Sequence, residues 1–335
     1  VTSVDLGLEF ADDDLEKTVR AGVDAVEDAL RVACQADDEF VSLIASHLLD
    51  AGGKRFRPLL AVLAAHFGDP RAFGVTESAV VIELTHLATL YHDDVMDEAA
   101  VRRGAPSANS RWDNTVAILT GDFLFSRASN TLADLGPDAV RIQAQTFERL
   151  VIGQIRETVG PRPGADRIAH YLDVLAGKTG SLIAAAAQLG ATFAGVDAAS
   201  VDVLRQLAEE LGVAFQLSDD ILDIVSDTPA FGKTAGTDLR EGIATLPVLY
   251  ALRADPQAGD PDELRLRELV SGPITDPDLM QEALTRLRRS PALDEARATL
   301  TAYADRARAQ LEQLPDVPAR AALSALIDMT VHRTR

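Results

Sequence analysis

The chain is poor in everything that staples or decorates a small secreted fold. Its 335 residues hold a single cysteine, Cys34, so no intrachain disulfide can form and a reducing compartment is the simple reading. Aromatic residues make up 5% and there is one tryptophan; alanine and leucine supply most of the 47% hydrophobic content, which favours helices over sheets. Positive charge is scarce: 32 Lys and Arg stand against 52 Asp and Glu, a net charge of −20. That balance excludes nucleic acid as a partner, and an anionic membrane surface approached by charge alone. The start, VTSVDLGLEFADDDLEK, lacks a basic region followed by an apolar run, so no secretory signal is visible and a cytoplasmic location is expected. Long apolar runs are also missing. The nearest is Thr179 to Val196, whose 18 residues just reach membrane-spanning length. Gln188, Thr192, Gly180, Gly190 and Gly195 dilute it, so a buried core helix is expected there and no transmembrane segment.

What is present is concentrated acid in apolar surroundings. Glu83 to Gly104 reads ELTHLATLYHDDVMDEAAVRRG, with Asp93, Asp94 and Asp97 at its centre. Asp93 and Asp97 are four residues apart, which stacks their carboxylates on one helix face. Bare carboxylates so placed repel, and a hard divalent cation with oxygen ligands, Mg²⁺ above all, relieves them. Phe215 to Asp223, FQLSDDILD, repeats the spacing with Asp219, Asp220 and Asp223. Either motif alone could be a solvated face, but Val95, Met96, Ile221 and Leu222 embed both in apolar sequence. Arg102 and Arg103 follow the first cluster and Lys233 follows the second, so acid and base together suggest a metal-bridged diphosphate.

The rest reads as helices. Residues 11 to 50 are helical, Gly52-Gly53 stop them and Pro58 opens the next helix. The first acid helix spans 74 to 100, ended by Arg102-Arg103-Gly104, with a polar loop after it. Further helices are expected at 114–132, 138–159 and 201–225, and from Leu293 to Val331, whereas 256–290 reads as charged and irregular. The basic tail from His332 to Arg335 either reaches the diphosphate site or caps the last helix; the cap is the preferred reading.

Six matches in order resemble the polyprenyl synthetase family of trans-isoprenyl diphosphate synthases. They are Gly52-Gly53-Lys54-Arg55-Phe56-Arg57-Pro58; His86; Asp93-Asp94-Val95-Met96-Asp97 with Arg102-Arg103-Gly104; Gly121-Asp122; Lys178-Thr179; and Phe215-Gln216 with Asp219-Asp220-Ile221-Leu222-Asp223, followed by Gly232-Lys233. The resemblance implies an all-α fold, a single-domain isoprenoid-synthase-like helical bundle over residues 1–335 around a central substrate cavity, and a homodimer. It implies head-to-tail condensation of isopentenyl diphosphate with an allylic diphosphate, and a membrane-directed product. Lys54, Arg57, His86 and Arg103 are implied for isopentenyl diphosphate. Arg102, Lys178 and Lys233 are implied for the allylic diphosphate, Mg²⁺ for the six aspartates (chiefly Asp93, Asp97 and Asp219), and Thr179 and Gln216 for dipoles near the developing cation.

Product length follows from room for the tail, which should run back along the first acid helix. Thr85, Ala88 and Thr89 are small where an aromatic floor would stop growth early, so a product longer than geranylgeranyl diphosphate is expected. One departure from the family pattern is Ile243, where many relatives carry a second lysine after Glu241-Gly242. The alternatives are a farnesyl or geranylgeranyl diphosphate synthase, a class I terpene cyclase, and a non-catalytic subunit of a heteromeric synthase. A cyclase would leave Lys54, Arg57, His86 and Arg103 without a purpose. A subunit would be expected to have lost aspartates.

Overall fold

The computed structural model describes residues 7–226, 235–253 and 260–333. The described residues are almost wholly helical. In chain order they form α1 (Asp13–Ala33), α2 (Glu39–Asp50), α3 (Phe56–Ala65), α4 (Val75–Met96), a hairpin of β1 (Val101–Arg102) and β2 (Ala105–Pro106), α5 (Ala108–Arg111), α6 (Asn114–Leu135), α7 (Pro137–Val159) and α8 (Arg167–Leu175). A π-helical turn, Ala176–Gly180, leads into α9 (Ser181–Phe193) and α10 (Ala198–Val225). Then follow α11 (Thr237–Glu241), α12 (Leu246–Arg253), α13 (Pro261–Leu269), α14 (Pro277–Leu287), α15 (Pro291–Leu311) and α16 (Pro318–His332). No helix among the described residues is long and apolar enough to cross a membrane. The expected core helix, α9, is buried along nearly its whole length.

The chain divides into two compact units. The first takes the chain up to Glu148 together with Ser181–Ala208 and Gln310–Ala325. Its spine is α4, buried all round from Ala79 to Thr85, which packs against α6, α9, α3 and α1. Two glycines allow the closest approaches. A Cβ at Gly121 on α6 would lie 2.3 Å from His92 Nε2, and one at Gly190 on α9 would lie 2.2 Å from the Ala61 carbonyl oxygen of α3. Cys34 is buried, and burial pushes its thiol up to about 12, so it stays protonated.

The second unit comprises Arg149–Gly180, Glu209–Ala309 and the chain from Leu326 onward. Its core joins Leu175, Val213, Leu217, Ile221, Leu246, Leu293 and Leu300. A further cluster, with Leu239, Val248, Leu266, Met280 and Leu287, lies under α11 to α14.

The stretch expected to be irregular, 256–290, contains two helices. Its Asp-Pro pairs are helix starts rather than turns. Asp260 and Asp276 accept hydrogen bonds from backbone N–H groups of α13 and α14, and Pro261 and Pro277 open those helices where no N–H is needed. The expected final helix is likewise two, α15 and α16, broken before Pro318.

Candidate active site

The first unit builds a cationic pocket. Gly52 and Gly53 take φ of 90° and 143°, and Arg55 sits in the left-handed region at φ 46°. This bend buries Arg55 and aims its guanidinium at Glu27 (Nε to Oε2, 2.6 Å), the Leu49 carbonyl (2.9 Å) and the Gly52 carbonyl (3.1 Å), with Glu83 of α4 at 3.7 Å. Arg55 is therefore the cation that ties the turn together. Arg57 is different: its Nε is buried with no hydrogen-bond partner, and burial pushes its guanidinium down to about 10, with Glu83 opposing and Arg103 adding repulsion. Burial, followed by repulsion from Arg57, Arg103, Arg55 and Arg102, holds His86 well below the usual imidazole range. His86 is neutral at pH 7 in a pocket crowded with positive charge.

Arg103 reaches this pocket from the hairpin after α4. Arg102 pairs with Ala105, leaving Arg103 and Gly104 as the two turn residues, both at positive φ (54° and 78°) as a type I′ turn requires. Arg103 donates to the Leu48 carbonyl (2.8 Å) and the Gly52 carbonyl. His47 Nε2 lies 2.8 Å from the Pro106 carbonyl oxygen and anchors the hairpin to α2. The expected ending of the acid helix at the Arg pair is thus corrected. The helix stops at Met96 with Asp97 as its cap, because the chain turns into β1 and β2.

The aspartates of the first cluster divide their work. Asp94 is fully buried and accepts from Arg102 Nε at 2.6 Å, while its other oxygen has no partner. Burial raises its carboxyl despite Arg102. Asp93 is half-buried and Asp97 exposed, and Arg102 stands 4.0 Å from the latter. Asp122, of the Gly121-Asp122 match, is exposed and 3.5 Å from His92. Along the same face of α4, Thr89 is half-buried and Thr85 fully buried, with Gln143 Nε2 of α7 donating to the Thr85 hydroxyl at 2.6 Å.

The second unit carries the other acid motif on α10. Asp219 accepts from Arg333 at 2.7 Å. Asp220 is buried and accepts from the Tyr171 hydroxyl and from Gln216 Nε2 (3.1 Å); burial pushes it up to about 7, while the Tyr171 and Gln216 hydrogen bonds pull the other way. Asp223 accepts from the backbone N–H groups of Thr237 (3.2 Å) and Asp238 (3.1 Å), fixing the start of α11. Lys178 and Thr179 ride on the π turn, a strained element that recurs at functional sites. Lys178 Nζ lies 2.5 Å from Glu157 of α7. Ile243 is exposed, and Lys233 lies outside the described residues.

Among the described residues no three His, Cys, Asp or Glu side chains gather into a ready-made metal cage. Asp93 and Asp97 in the first unit, and Asp219 in the second, are each of the oxygen-donor type that a hard divalent cation takes. They offer carboxylate oxygens with some exposure, and Asp219 already draws a cationic group onto itself. Glu27, Glu83, His47, Gln143, Glu157 and Tyr171 were not singled out by motif; each acts through a partner distant in sequence.

A helical fold with two aspartate motifs and a separate cationic pocket is that of the isoprenoid synthases. Within that class the chain belongs to the polyprenyl synthetase family, whose model, described as Polyprenyl synthetase, matches residues 38–287. It is 52% identical over 328 residues to a nonaprenyl diphosphate synthase of Mycobacterium tuberculosis, covering 98% of this chain and 97% of that protein. A geranylgeranyl pyrophosphate synthase of Corynebacterium glutamicum, solved with calcium and isoprenyl diphosphate, superposes with a TM-score of 0.88 at 45% identity, covering 98% of this chain and 99% of that one. A decaprenyl diphosphate synthase of Rhodobacter capsulatus gives 0.84 at 32% identity, covering 96% and 99%. The chain is an enzyme of this family, a trans-polyprenyl diphosphate synthase that transfers prenyl groups.

Proposed function

We propose that the enzyme condenses isopentenyl diphosphate head-to-tail with an allylic diphosphate, in a Mg²⁺-dependent reaction, and carries the product beyond geranylgeranyl diphosphate. The observation that carries the reading is the pocket of Arg57, His86 and Arg103. Two arginines that repel each other and a histidine kept neutral beside them, with the Arg57 Nε buried and lacking a partner, are suited to an arriving anion. Lys54, Arg57, His86 and Arg103 orient the isopentenyl diphosphate. Arg102, Lys178 and Lys233 add positive charge to the allylic diphosphate. Asp93, Asp97 and Asp219 would hold Mg²⁺, which supplies charge neutralisation and Lewis acidity to the leaving group. In the reaction the allylic C–O bond breaks, the isopentenyl double bond forms the new C–C bond, and one proton leaves to the released diphosphate. Thr179 and Gln216 present dipoles toward the developing cation, and exclusion of water keeps it from being quenched.

In the same reading Asp94 aims Arg102, while Asp220 and Asp223 shape the second motif through Tyr171, Gln216 and α11. The small residues Thr85, Ala88 and Thr89 put no aromatic floor on α4 itself. A product ending at geranylgeranyl diphosphate is the second reading, favoured by the closure of that face at Thr85. Exposed Ile118 and Leu119 on α6 and Val151, Ile152 and Ile155 on α7 support a homodimer, since apolar groups this exposed favour a partner surface. Incubation with Mg²⁺, labelled isopentenyl diphosphate and geranyl, farnesyl or geranylgeranyl primer tests the reading. Elongation past twenty carbons supports it, and no elongation from any primer overturns it.

A further inference from the structure

The face of α4 that bears Asp93 can be followed turn by turn. Asp93 and Thr89 are half-buried, and Thr85 and Val81 are 0% exposed. Accessible surface therefore ends at Thr85, two turns and roughly 12 Å before Asp93 at 1.5 Å per residue. The group that meets Thr85 is the Gln143 side chain of α7, itself only 7% exposed. Its Nε2 donates to the Thr85 hydroxyl, and that hydroxyl donates to the Val81 carbonyl at 2.8 Å. The amide oxygen of Gln143 is buried and has no partner.

That is an unusual way to fill a core. A leucine would pack without an orphaned oxygen, and leaving such a group unsatisfied is costly. Among the described residues the amide is held by the bond to Thr85, and its several rotatable bonds allow it to swing. We propose that Gln143 is the stop that sets product length. Bonded to Thr85, its amide closes the tail path. A tail that displaces it gains the next turn of α4, where Val81 and Ile82 present apolar surface. Its floor is thus a movable polar side chain on a neighbouring helix, in place of an aromatic residue fixed on α4.

This inference rests on the synthase reading above. Its test is the product distribution of the protein and of two variants, Gln143→Ala and Thr85→Val, with farnesyl primer and excess isopentenyl diphosphate. Gln143→Ala removes the stop, and Thr85→Val keeps the volume but removes the acceptor that pins it. Both should move the dominant product up by about one isoprene unit or more, since one helical turn spans ~5.4 Å. Near-ultraviolet circular dichroism identifies a variant that has lost its fold, and the other variant then decides. If the unsubstituted protein elongates but the folded variants end at its own product length, the stop is not Gln143 and the inference is wrong. If the unsubstituted protein elongates nothing, the synthase reading falls and this inference falls with it.

Discussion

The Arg333 guanidinium donates to the Asp219 carboxylate at 2.7 Å, and its carbon lies 5.1 Å from the centre of the Phe215 ring. Arg333 of the basic tail thus reaches the second acid motif, while the preferred sequence reading, a helix cap, holds for His332. The capping role at the end of α16 falls to His332, whose Nδ1 lies 2.8 Å from the Asp328 carbonyl oxygen. If Asp219 takes a metal as proposed, Arg333 competes with that metal for its carboxylate. Arg333→Ala should tighten Mn²⁺ binding to the substrate-free protein. A partly exposed ion pair is worth up to about 1 kcal/mol, so the gain is at most about five-fold. Calorimetric titration showing weaker or unchanged Mn²⁺ binding would count against the competition.

Asp220 gives a pH dependence with a definite sign. Its carboxyl rises from the ordinary 3.8 to about 7 in the folded chain, chiefly through burial. Between those values the native state holds a proton that the unfolded chain has lost. Stability is therefore highest at the acid end of that range and declines as pH rises toward 7. In metal-free buffer the melting temperature should rise as pH falls from 8 to 6, and Asp220→Asn should flatten that slope while raising the melting temperature at pH 8. An Asp220→Asn protein with an unaltered slope would show that another group is responsible.

His86 behaves in the opposite sense on ligand binding. Burial and four arginines keep it neutral at pH 7, and an anion arriving among them lifts its pKa. Binding should therefore take up a proton, with up to one proton per site near pH 6, and tighten as pH falls. Titration of isopentenyl diphosphate in buffers of different ionisation enthalpy measures this directly. Proton release, or no change that His86→Asn abolishes, would contradict the assignment.

Neighbouring arginines in one turn should fail differently. Arg55→Ala removes the buried cation that Glu27 and Glu83 share, leaving Glu27 with Arg31 alone, and should destabilise the fold by about 3 kcal/mol. Arg57→Ala removes a group crowded by Arg103 and should leave the melting temperature nearly unchanged. Its effect should instead be on the KM for isopentenyl diphosphate, which should rise by about 10²-fold or more, as loss of a charge-assisted contact of about 3 kcal/mol requires. Denaturation curves and steady-state kinetics on the pair separate the two roles, and a reversed pattern would exchange their assignments.

How much of this was legible in the sequence depends on the distance over which each feature is encoded. The aspartate motifs, the Gly52-Gly53 turn and the small residues before Asp93 are local, and spacing alone places them on their helices. The Asp-Pro pairs at 260 and 276 are local too, but the dipeptide reads equally as turn or helix start, and only the apolar positions that follow decide. Arg333 and Asp219 are 114 residues apart, Gln143 and Thr85 are 58, and Tyr171 and Asp220 are 49. No pattern in one chain announces such pairs, because tertiary packing creates them. The division of labour among the aspartates was hidden for the same reason. Asp93 and Asp94 look alike in sequence, but the helix turns one toward an open face and buries the other against Arg102.

The central claim is a metal-dependent chain elongation that proceeds beyond geranylgeranyl diphosphate. Its most direct test is the dephosphorylated product of the purified protein, given labelled isopentenyl diphosphate and farnesyl diphosphate, with Mg²⁺ and again with EDTA. The account predicts a ladder rising to one dominant length above twenty carbons with Mg²⁺ and no product with EDTA. Termination at or below twenty carbons under excess isopentenyl diphosphate, or elongation that survives EDTA, would contradict it.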